Sequence, residues 1–177
     1  MAGWAVFDTA IGACGIAWGD EGICGAQLPH ASAAGTRQRM RRRFPALAER
    51  EPPAEVAALI ADIQAQLRGE PRDLSATRLD WREVPAFHTR VYRIALGIRS
   101  GSTLTYGDIA QRLGEPGAAR AVGQALGANP FAPIVPCHRV LAAGGRKGGF
   151  SAPGGTDTKL KMLLIENARP DDQPSLF

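Results

Sequence analysis

The sequence predicts a mixed α/β chain (α+β) in two lobes, a small antiparallel sheet with helices followed by a helical lobe carrying a helix-turn-helix. Three observations predict it. The first thirty residues form short apolar runs that alternate as strands do and are separated by turn residues. From Phe87 the apolar spacing changes to the helical period. Between the two, Gly69 to Val84 keeps neither period and reads as a linker. The expected boundaries are therefore 1–80, 81–170 and a tail at 171–177, and a length of 177 residues admits two small domains.

The elements follow in order. Ala5-Val6-Phe7, Cys14 to Trp18 and Ile23 to Leu28 are strands, with a turn at Gly19-Asp20-Glu21-Gly22, and Pro29 ends the sheet. Arg37, Arg39, Arg41, Arg42 and Arg43 lie in a predicted helix that stops before Pro45. A second helix begins at Pro53, spaces Val56, Ile60, Ile63 and Leu67 by four, three and four, and ends before Gly69. Phe87, Val91, Ile94 and Ile98 make one stripe of a third helix that stops near Gly101. Thr105 caps a short helix over 106–113, Gly114-Glu115-Pro116-Gly117 breaks it, and another runs over 118–128, the pattern of a helix-turn-helix. Extended Ile134-Val135, the segment Pro136-Cys137-His138-Arg139-Val140, a glycine-rich loop over 144–155 and a last helix through Leu160, Leu163 and Leu164 complete the chain.

Composition narrows the function. No run of about 18 apolar residues is present, and the first ten residues lack the features of a secretion signal, so neither a membrane partner nor a targeting segment is expected. Three cysteines, Cys14, Cys24 and Cys137, are too few for a disulfide framework and point to a reducing compartment, the cytoplasm. Residues 1–81 carry nine Arg and ten acids, whereas 82–177 carry twelve Lys and Arg and seven acids. The basic excess sits in the second half, as suits a polyanion held through a few phosphates.

The chemistry concentrates there. The helix Ala118-Ala119-Arg120-Ala121-Val122-Gly123-Gln124 has little beyond Arg120 and Gln124 to reach base edges. Small side chains at Ala118, Ala119 and Gly123 suit close approach to a minor groove, with Arg120 as a wedge into the stack; tight packing within the lobe is the other reading. Cys137 lies after Pro136, which can begin a helical turn, so its thiol is expected near unpaired backbone N–H groups and beside His138, both favouring the thiolate. Adjacent residues point different ways, so a bridging water is expected between sulfur and imidazole. A buried apolar cysteine beside a structural histidine is the competing reading.

The combination of Pro136-Cys137-His138-Arg139-Val140 with the upstream Ala118 to Gly123 run, Asn129-Pro130 and the downstream Gly149-Phe150-Ser151 resembles the O6-alkylguanine-DNA alkyltransferases, the methylated-DNA–protein-cysteine methyltransferases. The resemblance spans about 87–166 closely and the first lobe more loosely. It implies a ribonuclease-H-like first domain and a winged helix-turn-helix second domain. It implies direct reversal of DNA damage, by irreversible transfer of the alkyl group of O6-alkylguanine, with O4-alkylthymine a further candidate, to Cys137 of a single-turnover enzyme. The implied partner is double-stranded DNA, met as a monomer at the nucleoid, and no cofactor is implied because the activated group is already on the DNA. By the same resemblance His138 takes the thiol proton through water, Glu166 orients His138, and Asn129 supports the turn before the reactive segment. Tyr106 donates to the purine, Arg120 replaces the flipped nucleotide, and Leu126, Val140, Gly148, Gly149, Phe150 and Ser151 form the pocket.

Departures from the pattern are Phe150 where many relatives have Tyr, Ala152-Pro153 in the loop, and Gly127-Ala128 where relatives carry a basic residue. A non-catalytic lesion sensor is the alternative function, one in which the reactive cysteine is replaced; here Cys137 is retained. A thiol hydrolase is a third, and it leaves the DNA-reading helix unexplained. Cys14, Cys24, His30 and His88 have the chemistry of a zinc set, but the apolar strands around the two cysteines favour packing and no metal is expected. The arginine run over 37–43 reads as a solvated helix face, with auxiliary phosphate or protein contact as the other reading.

Overall fold

The computed structural model describes residues 1–143 and 155–168. They divide into two compact units, one of Met1–Glu83 with Pro130–Ile134 and the other of Val84–Asn129 with the chain from Val135 onward.

The first unit is built on a three-stranded antiparallel sheet in the order β1 (Gly3–Thr9), β2 (Gly12–Gly19), β3 (Gly22–Gln27). Gly12 and Gly22 leave the two hairpin turns at positive φ, 122° and 115°, where a side chain is disfavoured. Pairing passes from Gly15↔Gln27 to Trp18↔Ile23 with a shift between Ala17 and Trp18. Helix α1 (Ala33–Arg43) is capped by the Ser32 hydroxyl and lies on the sheet through Thr36 and Met40, with Met40, Trp4 and Ala17 forming a core cluster. Helix α2 (Ala54–Leu67) starts after Pro53 as expected and buries Val56, Ile63 and Leu67. Ile60 is only half-buried.

Both sheet edges are covered. Trp4 exchanges backbone hydrogen bonds with Ala48 and Arg50, at 3.1 and 2.9 Å, and Ile23 does so with Arg78 and Asp80, at 2.8 and 2.7 Å. The stretch expected to be a linker is thus packed structure as far as Asp80, with Leu74 and Leu79 buried. An open strand edge presents unpaired backbone groups that a neighbouring segment satisfies, a demand invisible in the segment's own period.

The second unit begins with α3 (Ala86–Leu96), which ends at Gly97, short of the expected Gly101; Ile98 remains buried beyond the helix. Thr105 caps α4 (Tyr106–Arg112) in a capping box with Asp108. After the turn at Gly114, which has φ 76°, comes α5 (Ala119–Gly127). Strands β4 (Leu104–Thr105) and β5 (Val140–Leu141) pair in parallel, and α6 (Gly155–Ile165) packs on the turn before β5. Residues 134 and 135 form a turn and a bend where an extended run was expected. Pro130, Pro133 and Pro136 withhold backbone donors across that stretch, so no ladder can form. The inward face of α6 is Lys159, Met162 and Leu163, whereas Leu164 is 57% exposed.

Among the described residues no helix is long and apolar enough to cross a membrane. Cys14 is fully buried near the Thr9 hydroxyl, and burial pushes its thiol pKa up to about 12, as for a packed side chain. Cys24 joins the edge of the Met40 cluster, and His88 packs edge-on to Phe87 and Tyr92.

Candidate active site

The site is assembled on a single turn of 3-10 helix, Cys137–Arg139, that starts after Pro136. All three side chains point into the second unit: Cys137 is 8% exposed, His138 1% and Arg139 5%. Asn129 sits at the base of the excursion formed by residues 130–134. Its amide donates to the Val135 carbonyl at 2.8 Å and hydrogen-bonds the Cys137 thiol, tying the end of α5 to the reactive turn.

Behind the turn lies Glu166, presented by the end of α6. Asn167 adopts the left-handed conformation, φ 61°, and Ala168 N–H donates to Leu163 O at 2.8 Å, the geometry of a Schellman cap. Glu166 Oε1 lies 2.8 Å from His138 Nε2 and accepts from Arg139 Nη2 at 2.7 Å, while Oε2 accepts from Arg139 Nε at 2.9 Å. Arg139 Nη1 donates to Ile98 O at 2.6 Å, a carbonyl set free because α3 ends early. This buried triad is satisfied on every charged atom but one side of the imidazole. Burial opposes ionisation of Glu166, yet the hydrogen bonds and charges of His138 and Arg139 win and hold its pKa near about 2. A carboxylate that only accepts fixes the proton of neutral His138 on Nε2. Nδ1 is then a free lone pair, and it is buried with no partner among the described residues.

Burial is the largest influence on both reactive groups. It pushes the Cys137 thiol up, and hydrogen bonding by Asn129, the charge of Lys159 and the backbone N–H groups of Cys137 and His138 pull back only in part. The turn dipoles expected to favour a thiolate are present and are outweighed by desolvation. Burial likewise lowers His138, against the pull of Glu166 and with Arg139 and Lys159 adding to the depression. The resting pair is a thiol beside a neutral imidazole. No hydrogen bond joins His138 Nδ1 to the sulfur.

Two residues escaped sequence reasoning. Lys159 on α6 is fully buried, donates from Nζ to Val140 O at 2.7 Å and lies 5.8 Å from the centre of the Tyr106 ring. Desolvation lowers its pKa to about 8, and Cys137 opposes that shift. Its signal was the register Lys159, Met162, Leu163, Glu166, one helical face with a charge at either end. Tyr92 on α3 is fully buried and donates its hydroxyl to Ala125 O of α5 at 2.6 Å. Burial raises its pKa, and so does the nearby Cys137.

The other expected residues divide by position. Tyr106 opens α4, half-buried, with its ring against Gly123, where an added Cβ would stand 3.9 Å away. Burial and Cys137 both raise its phenol. Leu126 and Val140 are buried. Arg120 and Gln124 are exposed on one face of α5 together with Gly127, while Ala118, Ala119 and Gly123 are half-buried. A Cβ at Gly117 or Gly127 would meet open space, so packing within the unit does not demand small residues there. Gly148, Gly149, Phe150 and Ser151 lie outside the described residues, as does the tail at 171–177.

The chain is similar to known proteins. Residues 86–168 match the model of the 6-O-methylguanine DNA methyltransferase DNA binding domain. A methylated-DNA–protein-cysteine methyltransferase of Mycobacterium bovis is 40% identical over 125 residues, 71% of this chain and 73% of the relative. One from Methanothermobacter thermautotrophicus is 31% identical over 159 residues, 90% of this chain and 82% of the relative. The crystal structure of Mycobacterium tuberculosis O6-methylguanine methyltransferase aligns over 100% of this chain and 99% of its own, with TM-score 0.74 and 31% identity. The corresponding Mycobacterium tuberculosis protein in complex with DNA aligns over 95% and 96%, with TM-score 0.73 and 34% identity.

Proposed function

Because the chain belongs to the methylated-DNA–protein-cysteine methyltransferases, we propose that Cys137 is the acceptor through which it reverses alkylation damage, taking the alkyl group from O6 of a guanine flipped out of duplex DNA. The protein is a DNA-binding transferase of direct-reversal repair. It acts as a monomer in the cytoplasm, at the nucleoid, with domains over 1–80 and 81–170, the second carrying the chemistry. The observation that carries the reading is the buried chain Cys137, His138, Glu166, with a vacant acceptor at His138 Nδ1 and a carboxylate fixing the opposite nitrogen.

His138 Nδ1 accepts the Cys137 proton through a bridging water as the thiolate forms, and Glu166 stabilises the imidazolium. Sulfur attacks the alkyl carbon, the new C–S bond forms as the C–O6 bond breaks, and the electron pair departs on the purine. Tyr106, supported by the nearby Lys159 cation, supplies a proton or hydrogen bond to the leaving base. Desolvation that suppresses the resting thiolate also leaves it poorly solvated once formed, which suits a nucleophile held for one substrate. The products are guanine and S-alkylcysteine. A thioether offers water no carbonyl to attack, so the thiol is not regenerated and each chain acts once. Donor and acceptor are both present, so the step calls for no cofactor.

The exposed face of α5, with Gly117 and Gly127 leaving room for close approach, suits the minor groove, and Arg120 takes the place of the extruded nucleotide. Among the described residues, Leu126 and Val140 are the ones proposed to line the base pocket. The test is the base composition of a duplex containing one O6-methylguanine after incubation with protein. Wild type is expected to convert it to guanine up to one equivalent, and Cys137→Ala not at all; conversion by Cys137→Ala refutes the assignment.

A further inference from the structure

Helix α1 carries five arginines between positions 37 and 43 and no acidic residue. Its inward anchors are Thr36, which donates to Ala13 O at 2.8 Å, and Met40, which is fully buried. At about 100° per residue, Arg37 and Arg43 fall roughly 60° to either side of Met40, Arg39 and Arg41 roughly 100° to either side, and Arg42 points farthest out. The two nearest the sheet are engaged. Arg37 Nε donates to both oxygens of Glu49 at 3.1 Å, and Arg43 donates to Ala26 O, Gln27 Oε1 and Pro130 O at 2.6, 3.1 and 3.2 Å. Arg39, Arg41 and Arg42 are exposed, and none makes a hydrogen bond or ion pair among the described residues.

Folding alone does not favour this pattern. Arg39 faces Arg42 and Arg43 at helical spacings of three and four, and Arg37 faces Arg41, like-charge pairs that each cost a few tenths of a kcal/mol. The helix dipole welcomes Arg41, Arg42 and Arg43 in the last turn but not Arg39 in the middle. Nor is the unit basic in general, since Met1–Glu83 holds ten arginines and eleven acids; half of its cations crowd into one run. The field of Arg39 also depresses the proton affinity of His30 and Arg43, second to burial in each case.

From this arrangement the structure assigns α1 as an auxiliary phosphate-binding surface: Arg39, Arg41 and Arg42 neutralise backbone phosphates of DNA irrespective of base sequence, in addition to the contacts of α5. The assignment rests on the reading of the protein as a DNA repair transferase. Phosphate contacts by cations release counterions, so they report themselves in the salt dependence of binding.

The experiment measures affinity for an undamaged duplex across a salt series, with full-length wild type, the triple variant R39Q/R41Q/R42Q, the single R42Q and the charge-preserving R39K/R41K/R42K. The slope of log K against log salt is expected to become shallower by about 3 in the triple glutamine variant and by about 1 in R42Q. That amounts to about 40-fold less loss of affinity between about 50 and 200 mM salt for the triple variant. The lysine variant keeps the wild-type slope, and the glutamine variant melts no lower than wild type because the repulsion is relieved. A glutamine variant with the wild-type slope overturns the assignment. So does a lowered self-association in sedimentation without DNA at unchanged slope, which makes a second copy the partner. If wild type neither binds duplex nor gains an alkyl group, the functional reading falls as well.

Discussion

Three charged side chains decide what Cys137 and His138 can do, and each gives a prediction. Arg139 and Glu166 form a bidentate pair with side chains 6% and 4% exposed, so losing one partner leaves a buried charge. Arg139→Gln is expected to cost about 3–5 kcal/mol in denaturant unfolding, with the proton affinity of His138 rising because a depressing cation is gone; an NMR titration of His138 reads the second effect. Lys159 pulls the Cys137 thiol down, so Lys159→Met is expected to move the pH profile of alkyl transfer upward, slowing transfer at neutral pH on the order of tenfold. An unmoved profile would remove Lys159 from the site. The pH dependence of stability has a definite sign. His138 and Glu166 both have folded pKa values below their unfolded ones, so on acidification the unfolded chain binds more protons and the fold weakens. The contribution of His138 is lost from about pH 6.5 downward and that of Glu166 from about pH 4.3 toward 2. Urea titrations at successive pH values check it: His138→Gln should flatten the profile between about pH 7 and 5 and leave the lower limb in place.

At the level of elements, local signals fixed α4 and α5, and tertiary demands fixed what lies around them. The Thr105 and Asp108 capping box is a sequence pattern with a direct backbone meaning, and it places Tyr106 at the first position of α4. The end of α3 was harder to read, because Ile98 continues the apolar stripe although the backbone has already left the helix to offer its carbonyl to Arg139. On α5 the exposed positions are the informative ones. Gly127→Leu adds a side chain where a Cβ meets open space, so stability should stay within about 1 kcal/mol of wild type. If this face is the one proposed to approach DNA, duplex affinity should fall; a variant binding duplex as tightly as wild type would remove Gly127 from the DNA-facing surface. Lys159 on α6 was passed over because a lysine on a helix ordinarily reads as solvent-facing. Its place on the buried face follows the register with Met162, Leu163 and Glu166, but the Val140 carbonyl that satisfies its charge is not visible in any helical period.

Across the whole molecule, the two-part organisation was legible from the change of period near Phe87, and the reactive segment from the motif around Cys137. The pairing of residues 78–80 with the edge of β3 was not, nor the membership of Pro130–Ile134 in the first unit, because both answer to backbone groups far away in sequence. The electrostatic balance at Cys137 was half legible: dipoles and neighbours can be read from a motif, whereas the burial that outweighs them is a property of the assembled unit. What the molecule as a whole is built to do is to commit one thiol once. The most direct test incubates wild-type protein with excess duplex containing isotopically labelled O6-methylguanine, then digests the protein and weighs its cysteine peptides. The account predicts a plateau at one methyl per chain, all of it on the peptide bearing Cys137, with Cys14 and Cys24 unmodified. Methyl transfer continuing past one equivalent, or a label on any other residue, would contradict it.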